Sequence, residues 1–292
     1  MGPALARVLI SSGTVWATVA TNDAAQLGPA LETLRSALPD HRRQPRSAAG
    51  VCFQLWREDQ YGHCEDEFRI LDANNWDEIA PNYSAATREG LEALATTGPP
   101  GESEGRALIW HGDPGTGKTY ALRALGQAWR AWCDVHVVVD AERFLANVSY
   151  MNQVLDYRTR DDRWRLIALE DTGELLTADA RERVGQGLSR LLNATDGVFG
   201  QGTRALVLVT TNEPLAQLHP AMARPGRCLS EVEFTALSAG EANAWLSERS
   251  DKRVDRATTI AELYELLSDR VLPNRGRQQA SEPIGFAARR AA

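Results

Sequence analysis

Lysine is almost missing from this chain: of 32 basic residues only Lys118 and Lys252 are lysines, and the rest are arginine. An arginine-rich sequence keeps a lysine where a compact, flexible ammonium serves better than a planar guanidinium, so Lys118 asks for a reason. Cysteine is scarce too. Cys52, Cys64, Cys133 and Cys228 are scattered with no C-x-x-C pair, which argues against a disulfide framework or a zinc site and predicts reduced thiols. His63 and Cys64 with Cys52 come nearest to a metal set and read better as packing or surface residues. No apolar run approaches the roughly twenty residues that span a bilayer, and the N-terminus lacks the basic start and apolar core of a signal peptide. The expected location is the cytoplasm, with no membrane partner. Positive charge is in deficit: the net charge of -7 argues against a general nucleic-acid surface, although a local basic groove is compatible with it. What remains is ordinary globular composition, 43% hydrophobic and 24% charged over 292 residues, enough for one large or two modest domains.

Lys118 has its reason in its neighbours. Gly112, Asp113, Pro114, Gly115, Thr116, Gly117, Lys118 and Thr119 spell G-x-x-x-x-G-K-[ST] between the apolar run 106–110 and a stretch with Leu122, Leu125, Trp129 and Trp132 at helical spacing. A strand-loop-helix turn with glycines lets backbone N–H groups face phosphate oxygens, and the helix adds its positive end to the same anion. The expected ligand is a nucleoside triphosphate with Mg2+. Lys118 would reach the outer phosphates and Thr119 would hold the metal.

In chain order, Val15–Ala20 reads as a half-buried strand and 24–38 as a helix with Leu27, Leu31, Leu34 and Leu38 on one face. A polar, basic stretch at 41–46 reads as a solvated loop, and strand-like runs follow at 51–56 and 68–71. Residues 1–73 are therefore expected to form a small N-terminal α+β domain that could recognise a partner. The apolar runs 106–110, 135–139, 166–169 and 205–211 alternate with helical patterns, among them one at 142–155 and one carrying Val184, Leu188, Leu191 and Leu192. Such runs predict a parallel sheet buried on both faces, with polar residues at the strand ends around one crevice. The expected fold class is α/β, a three-layer P-loop domain over 74–236. Ser238 with Glu241 and Thr259 with Glu262 have capping-box spacing, which predicts a helical lid at 237–272. The aperiodic, arginine-containing stretch 273–292 is expected to be a flexible tail.

The run 166–169 ends in Glu170 and Asp171. Mg-dependent phosphoryl transfer needs one carboxylate in the metal shell and another to orient an attacking water. Adjacent strand residues point to opposite faces, so position assigns Glu170 to the metal with Thr119, and Asp171 to the water.

Taken together these residues resemble the AAA family of the AAA+ superfamily over about 74–270. Gly112 to Thr119 resembles Walker A and the strand ending in Glu170 and Asp171 resembles Walker B. The segment 188–197 is similar to the helix that opens the family's second region of homology, Thr210-Thr211-Asn212 to its sensor 1, and 218–227 to its D-P-A-L-x-R-P-G-R segment. The Glu-Asp order departs from the usual Asp-Glu, which leaves open which acid is catalytic. The N-terminal part resembles that of uncharacterised bacterial AAA proteins. The resemblance implies ATP hydrolysis in a homo-oligomeric, hexameric ring. Asn212 would position the water, and Arg224 and Arg227 would act as arginine fingers in the neighbouring subunit's site. It also implies that 76–83 lies against adenine and that a substrate-gripping loop falls near 147–150; the usual aromatic-apolar-Gly triplet is missing there, leaving Tyr150 or Phe144 as candidates. The leading expectation is a ring ATPase that remodels a protein substrate or adaptor. The alternatives are a slow ATP-dependent assembly switch or scaffold and, disfavoured by the acidic balance, a DNA-associated loader.

Overall fold

The computed structural model describes residues 5–11, 14–37, 50–59, 61–62, 64–101, 104–157, 163–170, 178–196, 203–213 and 226–268. Asp171, Arg224, the basic stretch near 42–46 and the tail 273–292 lie outside the described residues.

The core is a seven-stranded sheet in which six strands run parallel and β4 (Cys64–Leu71) alone runs antiparallel. β5 (Ala107–Gly112), β6 (Cys133–Val138), β7 (Trp164–Leu169) and β8 (Ala205–Thr211) occupy its middle, and β9 (Cys228–Phe234) closes one edge. The order is β4-β3-β6-β7-β8-β5-β9, so β5 lies between strands that follow it in sequence. Every residue of β8, and all of β5 before Gly112, is buried, as expected where helices cover both faces. On one face Leu108, Trp110, Val135, Leu166 and Leu208 pack under α3 (Ala85–Ala95) and α4 (Lys118–Trp129). On the other, Ile109, Ile167 and Val207 pack under α5 (Ala141–Ala146), α6 (Val148–Asp156) and α7 (Ala178–Asp196).

Three features depart from the sequence pattern. First, β3 (Val51–Glu58) and β4 (Cys64–Leu71), expected within a separate unit ending near 73, extend this same sheet. β3 pairs in parallel with β6, Phe53 opposite Val135. The physical reason is two-sided burial: Val51 and Phe53 join the core under α4, while Trp56 joins the opposite one. Gly126 allows this, because a Cβ there would stand 2.9 Å from Val135 Cγ2 and 3.0 Å from Val51 Cγ1. What stands outside the sheet is a hairpin of β1 (Leu5–Ser11) and β2 (Thr14–Ala20), followed by α1 (Ala24–Ala37). Second, the helix expected over 142–155 is two helices, because Asn147 takes an extended backbone and its side chain accepts from Ser149 N and Tyr150 N, capping α6. Third, β9 carries polar residues at alternate positions, as an edge strand with one open side does, which hides it from a search for apolar runs.

The lid follows the capping signals. Both capping boxes form, Ser238 with Glu241 at α8 (Ala239–Ser247) and Thr259 with Glu262 at α9 (Ile260–Leu267). Ala242, Leu246 and Leu263 are fully buried in a small core of their own. Lys252, the second lysine, donates from Nζ to Leu266 O and so caps the carbonyl end of α9. Among the described residues no helix is long and apolar enough to cross a membrane.

Candidate active site

The loop after β5 sits where the parallel strands end, at the crevice expected of an open α/β sheet. Its backbone departs from ordinary conformations at three glycines, Gly112, Gly115 and Gly117, with φ of +129, +78 and +94°. Gly112 has no alternative, since a Cβ there would lie 2.1 Å from Phe234 O. Thr116 Oγ1 donates to Asp113 O at 2.7 Å, and Lys118 Nζ donates to Gly112 O at 2.7 Å and to Asp113 O at 3.0 Å. The ammonium is thereby folded over the loop, centred on the cradle.

A cleft of about 950 Å³ opens beside it. Pro114 to Thr119 line it, while Gly112 and Asp113 stand behind and hold Lys118 through their carbonyls. Glu170 and Asn212 line the same cleft. The register explains this convergence: Leu169 is level with Val209, and His111 with Thr211, so the residues that follow β7, β5 and β8 reach one end of the sheet together. Thr119 Oγ1 donates to Glu170 Oε1 at 2.9 Å. A hydroxyl and a carboxylate this close are the hard oxygen donors that suit Mg2+, so the residues present fit that ion.

The opposite wall belongs to α2 (Trp76–Ile79), the turn 80–82 and the lid. Asn74, Glu78, Ile79, Asn82 and Tyr83 line the cleft together with Ile260, Ala261 and Tyr264. Ala261 N donates to Gly115 O at 3.1 Å, which docks the start of α9 directly on the phosphate loop. Tyr83 is 4% exposed, and its hydroxyl donates to Gly117 O at 3.1 Å. Burial, with Tyr264 and Tyr120 adding repulsion, pushes this phenol above its ordinary range, so it remains a donor at neutral pH. The lid residues were not legible as site residues. The signal that could have found them is the Thr259–Glu262 capping box, which fixes where α9 begins and so which residues its first turn presents.

Arg227 lies elsewhere. Its carbonyl accepts from Ala107 N at 3.0 Å, at the start of β5, whereas the phosphate loop leaves the end of that strand. Five residue steps separate the two ends, about 17 Å at strand rise. The Arg227 guanidinium donates from Nη2 to Asn193 Oδ1 of α7 at 2.7 Å. Phe144 and Tyr150, the candidate gripping aromatics, are fully buried and pack edge-to-face against each other. Asn147 between their helices donates to Glu58 at the end of β3, and Arg143 pairs with the same carboxylate at 3.2 Å. Neither aromatic is placed to touch a substrate.

Residues 108–236 match the family model described as "ATPase family associated with various cellular activities (AAA)". The chain carries an ATPase domain of the AAA family. Curated relatives of this AAA domain include a 26S proteasome regulatory subunit 6B homolog of Aspergillus niger, 28% identical over 139 residues, which are 45% of this chain and 32% of that protein. The 26S proteasome regulatory subunit 7 of Caenorhabditis elegans is 29% identical over 180 residues, 58% of this chain and 39% of that protein. The ATPase family gene 2 protein of Saccharomyces cerevisiae is 29% identical over 143 residues, 46% of this chain and 18% of that protein. The matched part therefore spans about a third of the proteasome relatives' length.

Proposed function

We propose that this protein binds ATP with Mg2+ in the cleft at Gly112 to Thr119, hydrolyses it, and does so in a homo-oligomeric ring that remodels a protein partner in the cytoplasm. Thr119 and Glu170 would hold the metal ion, which supplies charge stabilisation to the phosphates. Lys118 would hold the outer phosphates. Asn212, beside Glu170 at the strand ends, would orient the attacking water together with Asp171.

The observation that carries the reading is Arg227 at the far end of the strand that bears the phosphate loop. An arginine whose backbone lies about 17 Å from its own loop, with its guanidinium on Asn193, does not serve that loop; a neighbour's loop is where it would act. Arg224 and Arg227 are the candidate fingers, and such a residue supplied in trans is worth on the order of 10^3 to 10^5 in rate. The proteasome relatives favour a protein as the partner. The burial of Phe144 and Tyr150 favours a second reading, an assembly that switches on nucleotide without gripping a substrate in a pore.

Mixing two inactive variants tests the shared site. Lys118→Ala loses its own nucleotide but keeps Arg227; Arg227→Ala keeps nucleotide but loses the finger. Their mixture is expected to recover part of the ATPase activity that neither shows alone. If Arg227→Ala hydrolyses ATP at the wild-type rate, or the mixture stays silent while both variants assemble, the shared site is wrong. If the mixture recovers turnover but no partner protein accelerates it, the switch is the better reading.

A further inference from the structure

Four consecutive residues, from the last of the turn 80–82 to the first of α3, reach three separate parts of the molecule. Asn82 Oδ1 accepts from Trp245 Nε1 of the lid at 2.8 Å. Tyr83 donates to Gly117 O of the phosphate loop at 3.1 Å. Ser84 Oγ shares a 2.7 Å hydrogen bond with Thr235 Oγ1, just beyond β9. Ala85 N donates to Glu241 Oε1, again of the lid, at 2.8 Å.

Tyr83 is held on three sides. Its ring stacks on Trp76 with centroids 5.7 Å apart and meets Phe234 edge-on at 6.0 Å. Its far edge lies against Gly117, where a Cβ would come within 3.1 Å of Cε1. Gly117 caps α4, and its carbonyl also accepts from Ala121 N at 3.0 Å. A peptide unit is planar, so fixing the Gly117 carbonyl fixes the Lys118 N–H that points the opposite way. That N–H belongs to the first turn of α4, whose amides are the groups that bind an anion at a helix start.

We propose that Tyr83 is a positioning residue for the phosphate-binding backbone, and that Asn82 and Ala85 beside it connect it to the lid, so that the lid's placement sets the affinity of the loop for the triphosphate. The inference rests on reading the cleft as the ATP site. Tyr83 touches the loop and acts through it. The lid thus reaches the phosphates by two routes, through Ala261 N on Gly115 O and through Tyr83 on Gly117 O.

Calorimetric titration of ATP into the full chain tests this, comparing wild type with Tyr83→Phe, Trp245→Phe and their combination, with thermal unfolding of each protein without nucleotide as the reference. Each single change removes one hydrogen bond and keeps a ring in place. Each is expected to weaken ATP binding roughly three- to tenfold, and the combination to weaken it no further than the more affected single variant. Asn82→Ala breaks the lid contact from its other end and is expected to reproduce the Trp245→Phe effect should that variant's lid fail to fold. A Tyr83→Phe variant that melts earlier but binds ATP as wild type does has lost packing only, and the proposal falls. Single effects that multiply in the combination would show the lid and Tyr83 acting separately, and the connection falls; so would Asn82→Ala with wild-type affinity. A wild-type chain that binds no ATP overturns the site reading and this proposal with it, whereas wild-type binding with an unaffected Tyr83→Phe overturns the proposal alone.

Discussion

Replacing Gly117 with alanine combines two penalties whose sizes follow from the loop's geometry. Gly117 has φ +94° and ψ 19°, and an L-residue in left-handed backbone costs about 1–2 kcal/mol. The new methyl would meet Tyr83 at 3.1 Å from Cε1 and 3.3 Å from the hydroxyl oxygen. The ring cannot withdraw easily, because Trp76 and Phe234 hold its other sides, so crowding adds about 1 kcal/mol. The total is about 2–3 kcal/mol, on the order of a 30- to 150-fold change in an equilibrium constant. Where the penalty is felt depends on the loop. If the free loop relaxes away from the left-handed conformation, stability is nearly unchanged and ATP affinity carries the loss; if it does not relax, unfolding free energy carries it. Chemical denaturation plus ATP titration measures both, and their sum is independent of the partition. Gly226→Ala is the matched control: its φ is +83° but a Cβ there meets nothing within 4 Å, so only the backbone penalty applies. The difference between the two variants isolates the Tyr83 contact. An ATP-saturated Gly117→Ala protein within about 0.5 kcal/mol of wild type would refute the reasoning.

Other expectations can be checked separately. His136 is fully buried and accepts at Nδ1 from Trp56 Nε1 at 2.9 Å; burial, with the nearby Arg165 charge, holds its pKa well below the ordinary value. The unfolded chain therefore binds a proton that the folded chain refuses, so stability is full above about pH 6.5 and falls by up to ~1.4 kcal/mol per pH unit below it. Urea unfolding at pH 7.5 and 5.5 should show the loss, and a His136→Gln variant should lack this component. Burial pushes the Cys52 thiol up to about 11 and the Cys133 thiol higher still, so both should resist a thiol reagent at pH 8 and react once the chain is unfolded. Rapid titration of all four thiols in the native protein would contradict the packing. For the acids, Asp171→Asn should abolish hydrolysis while retaining ATP binding, and Glu170→Gln should weaken the Mg2+ dependence of binding. Normal turnover by Asp171→Asn would reverse their roles.

The phosphate loop, the acid at the end of β7 and both lid caps were legible because each is written in a few contiguous residues whose local geometry is nearly obligatory. Three glycines, a lysine and a hydroxyl at fixed spacing specify an anion cradle wherever the chain places them. The apolar runs of β5, β7 and β8 were legible for a similar reason, since burial on both faces leaves no polar position. β9 was not, because an edge strand alternates and Glu231 and Glu233 interrupt its apolar pattern. The attachment of β3 was not, because its burial depends on Gly126 letting α4 come close, a contact across more than seventy residues.

By itself, then, the sequence determined the chemistry available: an anion cradle and oxygen donors for a metal ion. Tertiary structure decided what those groups face. It placed Glu170 and Asn212 beside the loop through strand register, and it set Arg227 at the opposite end of β5 from its own cradle. It buried Phe144 and Tyr150, and it brought Tyr83 onto Gly117 with the lid behind it. Spacing along a chain controls local conformation over a few residues. Proximity between distant segments comes from packing the whole sheet and its helices at once, and no short motif encodes it.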